Sequence, residues 1–194
     1  MNNITQADGG WGFPMPDIYP YQIQQPRLAY KQGDLDGLCG IYSIINAIRL
    51  LRGPLPQRVS ETLFKALVTV FDQRWGLKMA ALEGINSHQL SYLIKTVAVP
   101  VFELHYRKPF HNRPTTPQSV QWDQFTTWIN DGGCAIIGTE EHWTVINKVT
   151  QNTLYLVDSC GMQQLRKRHV THQPEYIHRP WPTYTYLFKR QEDV

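Results

Sequence analysis

The fold of this chain is decided by the stretch Gly33-Asp34-Leu35-Asp36-Gly37-Leu38-Cys39-Gly40-Ile41-Tyr42-Ser43. Its first half favours a turn, because glycine and aspartate are the residues that tight turns prefer. From Cys39 onward, apolar residues recur at helical spacing, and they are Ile41, Ile44, Ile45, Ile48 and Leu51. Arg52 and then Gly53-Pro54 end the pattern. The sequence therefore predicts a buried helix over residues 39–52 with a thiol in its first turn.

A thiol at the start of a helix is a candidate nucleophile. The first backbone N–H groups of a helix have no intrahelical acceptor, and the helix dipole adds partial positive charge there. Both effects favour the thiolate, which is the nucleophilic form, and the same N–H groups can bind an oxyanion. Because most free cysteines are small buried hydrophobes, Cys39 needs chemical partners before a catalytic role follows.

Composition narrows the class of protein. A chain of 194 residues with 42% apolar and 18% charged residues fits one globular domain. The net charge of 19 − 16 = +3 is too small to indicate a nucleic-acid partner. Three cysteines without paired spacing favour free thiols in a reducing compartment. We find no apolar run of about 18 residues and no secretory signal, so we expect no membrane span. The location expected is cytoplasmic, or exported without a cleavable signal.

Patterning along the chain predicts an extended arm followed by one domain. Residues 1–30 are rich in proline and aromatic residues and predict the arm, and residues 31–194 predict the catalytic domain. Helices are expected over residues 39–52, 57–73, 87–97 and 119–130. Strands are expected over residues 101–106, 134–138, 143–149, 154–158, 163–170 and 183–189. Helices first and strands later favour an α+β domain with a mostly antiparallel sheet.

The predicted sheet supplies two partners for the thiol. His142 opens one strand and Asp158 closes the next. If residues 150–152 form the loop of a hairpin, Thr144 faces Asp158 and His142 is its diagonal neighbour, roughly 7–8 Å away. A two-residue loop would instead put the two side chains on opposite faces.

These residue types suit acyl transfer to sulfur. A thiolate attacks a carbonyl carbon, and an imidazole moves the proton to the leaving group. A third polar group fixes the orientation of the imidazole, as in triads on unrelated folds. The chain order Cys39, His142, Asp158 supplies these three groups in turn.

The chain resembles the papain-like cysteine peptidases. Within them it is most similar to the peptidase domains that trim bacteriocin leader peptides at double-glycine sites. The matching stretches are Cys39-Gly40, Asp131-Gly132-Gly133 before Cys134-Ala135-Ile136-Ile137, His142-Trp143-Thr144-Val145-Ile146, and Leu154-Tyr155-Leu156-Val157-Asp158-Ser159.

The resemblance implies a papain-like fold with Cys39 as nucleophile, His142 as base and Asp158 as orienting acid. It also implies a glutamine in the oxyanion hole, for which Gln32 is the candidate. Two positions depart from the family pattern. Gln32 lies seven residues before the cysteine where six is usual, and Leu38 stands where the family has an acidic residue.

The expected function is hydrolysis of peptide or isopeptide bonds through a thioester, with a protein or peptide as substrate and with no cofactor and no metal. The same triad also runs deamidation, transglutamination and other acyl transfer, as a bacterial effector or toxin would use. A non-catalytic binding module that keeps these residues by descent is a further alternative.

Other residues make weaker candidates. Cys160 is a rival nucleophile, but no helix start follows it, and Cys134 lies in an apolar run that predicts an inert, buried thiol. Asn147 could replace Asp158 as orienting residue, but alternation puts it on the opposite face of the strand. The histidines after Cys160 fit no zinc spacing, and they are His169, His172 and His178.

Overall fold

The computed structural model describes residues 29–33, 37–169 and 180–194. Over these ranges the helices are α1 (Cys39–Arg52), α2 (Gln57–Trp75), α3 (Leu77–Glu83), α4 (Ser87–Leu93), α5 (Val99–Phe102) and α6 (Gln118–Asn130). The strands are β1 (Leu104–Arg107), β2 (Cys134–Gly138), β3 (Trp143–Val149), β4 (Thr153–Val157), β5 (Gln164–Arg166) and β6 (Thr185–Arg190). No helix in this part of the chain is both long and apolar enough to cross a membrane. Most of the predicted arm, the turn residues 34–36, His172 and His178 lie outside the described residues.

The strands form one open sheet in the order β1-β6-β2-β3-β4-β5, and each of these pairings is antiparallel. β2 to β5 follow one another as a meander, because short loops suffice to join antiparallel neighbours. β6 returns along the other side of β2, and β1 pairs with its outer edge. This confirms the predicted α+β class with a mostly antiparallel sheet.

Both faces of the sheet are covered by helices. Alternate residues of a strand point to opposite faces, so Ile136 and Val145 join the core that contains α1, while Ile137 and Ile146 join the core under α6. The predicted apolar stripe of α1 is almost fully buried over residues 41–48. α1 therefore runs through the interior against β2, β3 and β6 and carries Cys39 to one end of the sheet.

The start of α1 is held by close packing and by two hydrogen bonds. A Cβ at Gly37 would lie 2.3 Å from the carbonyl oxygen of Ala80, so only glycine lets the entering chain pass α3 this closely. Ser43 Oγ donates to the carbonyl of Trp143 over 2.9 Å. Trp143 Nε1 in turn donates to the carbonyl of Ile85 over 2.5 Å. These contacts fix the first turn of α1 against the beginning of β3.

The helical chain that begins at Ser87 continues past Pro100 to Phe102. The boundary predicted here, between a helix over 87–97 and a strand over 101–106, is therefore corrected. Asn86 caps α4, since its side chain accepts from two backbone N–H groups of the first turn. The chain then passes through a π-helical turn, Ile94–Ala98, into α5. Pro100, which has no N–H to donate, lies in the first turn of α5, directly after this wider π turn. The predicted strand 101–106 is therefore wrong in its first half, and β1 begins at Leu104.

Two further elements differ from the prediction. α3 was not expected, and it forms because Gly76, with φ 83°, interrupts α2 and lets a second helix begin at once. The strand expected over residues 163–170 shrinks to β5, which is followed by a 3₁₀ turn, Lys167–His169. Neither change alters the end of the sheet where the predicted site residues lie.

We expect the core around α1 to depend on leucine packing from α2. Leu67 is fully buried against this core and Leu82 on α3 is 74% exposed. Leu67→Ala should lower the free energy of unfolding by about 2–5 kcal/mol, because it removes buried methylenes and leaves a cavity. The matched Leu82→Ala should change it by no more than about 0.5 kcal/mol. Urea unfolding followed by circular dichroism measures both, and equal losses would contradict the core described.

Candidate active site

Cys39 is the first residue of α1 and is nearly buried, with 6% of its surface exposed. Leu38 stands at the N-cap and offers no side-chain hydrogen bond to the first turn, which also contains no acidic residue. Nothing on these side chains competes with an anion for the positive end of the helix. The predicted position of the thiol, in the first turn of a buried helix, is therefore confirmed.

His142 lies directly before β3, at the end of the loop that follows β2. The carbonyl of His142 accepts from the backbone N–H of Thr139 over 2.8 Å, which closes this loop. Its side chain is 12% exposed. Because the next residue, Trp143, is bonded both to α1 and to Ile85, the backbone that carries the imidazole is firmly held.

Asp158 follows β4 and its side chain is completely buried. Oδ2 lies 2.5 Å from Nε2 of His142. Oδ1 accepts from the backbone N–H groups of Cys160, over 2.8 Å, and Met162, over 3.0 Å. An ionised carboxylate in the interior must be paired and hydrogen-bonded, and these three contacts of Asp158 fit that state.

The predicted hairpin brings Asp158 to His142 through an irregularity. The loop is residues 150–152, as expected, but Val149 pairs with Leu154 and not with Thr153. A β-bulge at Asn147 absorbs one residue, so that Val145 pairs with Val157. The register expected at the far end of the hairpin is thereby restored, and Asp158, not Asn147, contacts the imidazole.

The imidazole of His142 joins the carboxylate to the thiol. The ring is hydrogen-bonded to the side chain of Asp158, and the thiol of Cys39 is close enough to the ring to raise the pKa of His142. Because Nε2 is bonded to Asp158, Nδ1 is the nitrogen that remains for sulfur. We call these three residues the Cys-His-Asp cluster, and the structure brings together the three residues that the sequence singled out.

The two charged members of the cluster stabilise one another's charged forms. Burial alone would lower the pKa of His142, but the hydrogen bonds and negative charges of Asp158 and Cys39 outweigh burial and raise it from 6.5 to about 9. Burial alone would raise the pKa of Asp158, but the hydrogen bond and positive charge of His142 outweigh it and lower the pKa below 3.8. At neutral pH the pair is an imidazolium and a carboxylate.

Gln32 lies beside this cluster. Its backbone N–H donates to the carbonyl of Ser159 over 3.2 Å, and its side-chain oxygen accepts from the hydroxyl of Ser159 over 2.9 Å. Ser159 directly follows Asp158, so the segment before α1 is tied to the loop after β4. With Oε1 bonded to Ser159, the amide NH₂ is the end of Gln32 that can donate to another group.

Cys160 is the member of the site that sequence reasoning rejected as a nucleophile and otherwise missed. It is exposed, and its Sγ lies 3.8 Å from Nδ1 of His142. Its place two residues after Asp158, in the loop that begins at a strand end, was the available signal. Cys134, by contrast, is buried as predicted, and its Sγ faces the carbonyl of Ala47.

Three side chains of this site carry atoms of the types that bind metal ions. His142, Asp158 and Cys160 present donor atoms within 4.8 Å of one another. However, the ring nitrogens of His142 already contact Asp158 on one side and sulfur on the other. We therefore treat these atoms as an acid–base system and assign no metal to them.

A separate cavity of about 540 Å³ lies between α1, α2 and the chain before α1. It has aromatic and cationic walls, and its lining includes Tyr30, Tyr42, Arg49, Ser60, Phe64 and Lys65. No residue of the Cys-His-Asp cluster lines it. The cavity is thus distinct from the place where the thiol and the imidazole meet.

Comparison of the chain with protein-family models and with curated protein sequences finds no match. The evidence for a function is therefore the geometry and chemistry of the site itself. A buried carboxylate, an imidazole and a thiol at a helix start can hold a thiolate, deliver a proton and stabilise an oxyanion, which together are the requirements of acyl transfer to sulfur.

We expect the stability contributed by the His142–Asp158 pair to depend on pH. The pKa of His142 is higher in the folded state, so its contribution is complete below pH 6.5 and is lost as pH rises through about 9. The pKa of Asp158 is lower in the folded state, so its contribution is lost only as pH falls below 3.8. Asp158→Asn should therefore cost most between these limits, on the order of 3 kcal/mol, and the cost should shrink toward pH 10.

Denaturant unfolding of the wild type and Asp158→Asn at several pH values measures this difference. Asp123→Asn, which alters an exposed carboxylate on α6, is the matched control and should show no such dependence. A cost of Asp158→Asn that stays constant or grows from pH 6 to pH 10 would contradict the ion pair.

Proposed function

We propose that this chain is a cysteine-dependent hydrolase of the papain-like type that cleaves peptide or isopeptide bonds. The observation that carries the proposal is that one imidazole, that of His142, is bonded to a fully buried carboxylate and lies close enough to the thiol at the start of α1 for that thiol to raise its pKa. The α+β fold with a helix packed on an antiparallel sheet is consistent with the papain-like expectation. A protein or peptide is the proposed substrate.

The proposed reaction begins with attack by the sulfur of Cys39 on the carbonyl carbon of the substrate. The carbonyl π electrons move to oxygen, and the resulting oxyanion accepts hydrogen bonds from the backbone N–H of Cys39 and the side-chain amide of Gln32. His142, protonated at Nδ1, gives this proton to the leaving nitrogen as the C–N bond breaks. The amine departs, and the acyl group stays on Cys39 as a thioester.

Hydrolysis of the thioester uses the same groups in reverse. His142 takes a proton from water, and the hydroxide formed attacks the acyl carbon. The C–S bond breaks, the acid departs, and the thiolate of Cys39 returns beside the imidazolium. Asp158 stays ionised throughout, since its role is to orient the ring and to stabilise its positive charge.

We choose Cys39 over Cys160 as nucleophile because of their surroundings. Cys39 combines the imidazole with the positive end of a 14-residue helix. Cys160 lies in an exposed loop between β4 and β5, where no helix end supports a thiolate or an oxyanion. Contact with the imidazole alone, at 3.8 Å, gives Cys160 only one of these two features.

We expect Cys39→Ala to abolish activity. Incubation of the wild type with a proteome-derived peptide mixture and with folded proteins should produce new termini detected by mass spectrometry, and Cys39→Ala should reduce their rate of appearance on the order of 10⁴-fold or more. Cys134→Ala, which alters a buried thiol away from the cluster, is the matched control and should retain activity. The same spectra separate cleavage from deamidation and from cross-linking, which would reassign the reaction to acyl transfer. Wild-type activity in Cys39→Ala would overturn the proposal.

We expect Gln32→Ala to lower kcat by roughly 10²–10³-fold, because it removes one donor to the oxyanion. Alkylation of Cys39 by iodoacetamide, which forms no oxyanion, should continue in this variant. Gln57→Ala, which alters an exposed glutamine on α2, is the control. An unchanged kcat in Gln32→Ala would show that Gln32 is not a donor to the oxyanion.

A further inference from the structure

Two thiols approach the same side of one imidazole. Cys160 Sγ lies 3.8 Å from Nδ1 of His142, and Cys39 begins the helix that packs against β3, close enough to the ring to raise its pKa. Asp158 occupies the opposite nitrogen, Nε2. Nδ1 is therefore the ring nitrogen that faces both thiols, although their residues are far apart in the chain. The proposed hydrolysis uses the sulfur of Cys39 and gives the thiol of Cys160 no role.

The loop that carries Cys160 is attached to the site by the same carboxylate that orients the imidazole. Asp158 Oδ1 accepts from the N–H groups of Cys160 and Met162. Gly161 between them has φ 94°, a conformation that side chains other than glycine rarely adopt, so the turn suits glycine here. Cys160 is exposed, whereas Cys39 is 6% exposed. Cys160 is thus the thiol of the two that solvent reaches more easily.

We propose that Cys39 and Cys160 form a site of reversible oxidation, at which a peroxide converts the two thiols into a disulfide. The reagent class is hydrogen peroxide or an alkyl hydroperoxide. The disulfide requires Cα atoms about 4.4–6.8 Å apart. Cys160 is the residue that adjusts, because it lies in an exposed loop outside helix and strand.

The chemistry balances in two steps. The thiolate of Cys39 attacks one peroxide oxygen, the O–O bond breaks, and the departing hydroxide takes the proton of His142 to leave as water. Cys39 is then a sulfenic acid, oxidised by two electrons, and the peroxide is reduced. Cys160 sulfur next attacks the sulfur of Cys39, the S–O bond breaks, and hydroxide leaves as water with the proton of the Cys160 thiol. A dithiol reductant reverses the result by thiol–disulfide exchange.

The disulfide would have two consequences. It protects Cys39 from the further, irreversible steps to sulfinic and sulfonic acid. It also occupies the sulfur that attacks substrate, so hydrolysis stops until reduction, and this second consequence rests on the proposed function. The disulfide itself depends only on where the two sulfur atoms lie.

The third thiol provides an internal control. Cys134 is 2% exposed within β2, and its burial raises its pKa far above the usual range. Since the thiolate is the form that attacks peroxide, Cys134 should remain a thiol under conditions that oxidise the other two. A Cys134→Ala variant should therefore behave as the wild type.

The test treats the wild type, Cys160→Ser and Cys134→Ala with hydrogen peroxide, blocks remaining thiols with iodoacetamide under denaturing conditions, and records intact masses and peptide maps. The wild type and Cys134→Ala should lose the mass of two hydrogen atoms, with a peptide cross-link between Cys39 and Cys160 that dithiothreitol removes. Cys160→Ser should instead gain two or three oxygen atoms on Cys39, which dithiothreitol does not remove.

Three results would overturn the proposal. The first is oxidation of Cys39 to sulfinic acid in the wild type without a cross-link. The second is a cross-link that involves Cys134. The third is that neither Cys39 nor Cys160 is oxidised. The peptide map of the wild type alone decides among these, so the test survives if Cys160→Ser does not fold. Because the readout is mass and not activity, a failure of the disulfide is distinguishable from a failure of the proposed hydrolysis.

Discussion

A fully buried carboxylate organises this structure. Asp158 holds the imidazole of His142 with one oxygen and the loop after β4 with the other. Because a lone charge in the interior would be costly, the carboxylate and the imidazolium depend on each other, and their positions are fixed together. The segment before α1 is tied to the residue after Asp158 by the hydrogen bonds between Gln32 and Ser159.

The sheet and α1 bring distant parts of the chain to this carboxylate. α1 crosses one face of the sheet with its apolar stripe buried, and its first residue therefore stops beside the start of β3. Ser43 and Trp143 hold helix and strand at a fixed separation. A reactive group held by a rigid helix or strand is placed more precisely than one on a loop. Acid–base chemistry needs that precision. Cys160, on a loop, has the opposite character and suits a reversible reaction between sulfur atoms.

The sequence predicted the elements whose signal is local and repetitive. The apolar period of α1, the continuous apolar run of β2 and the loop 150–152 all follow from neighbouring residues. What it missed depends on contacts between distant segments. The π turn before Pro100 has no periodic signal in the sequence, and the bulge at Asn147 corrects a register that the loop alone would set differently. The approach of Cys160 to His142 follows from the turn at Asp158, which is a side-chain hydrogen-bond pattern and not a sequence period.

We propose that Cys39, activated by His142, accepts an acyl group. The most direct measurement is acid quench of the protein after brief exposure to p-nitrophenyl acetate, followed by peptide mapping of the acetyl group. We expect an acetyl thioester on Cys39 in the wild type and none in His142→Ala. An acetyl group on Cys160 with Cys39 unmodified, or equal acetylation of Cys39 without His142, would contradict it.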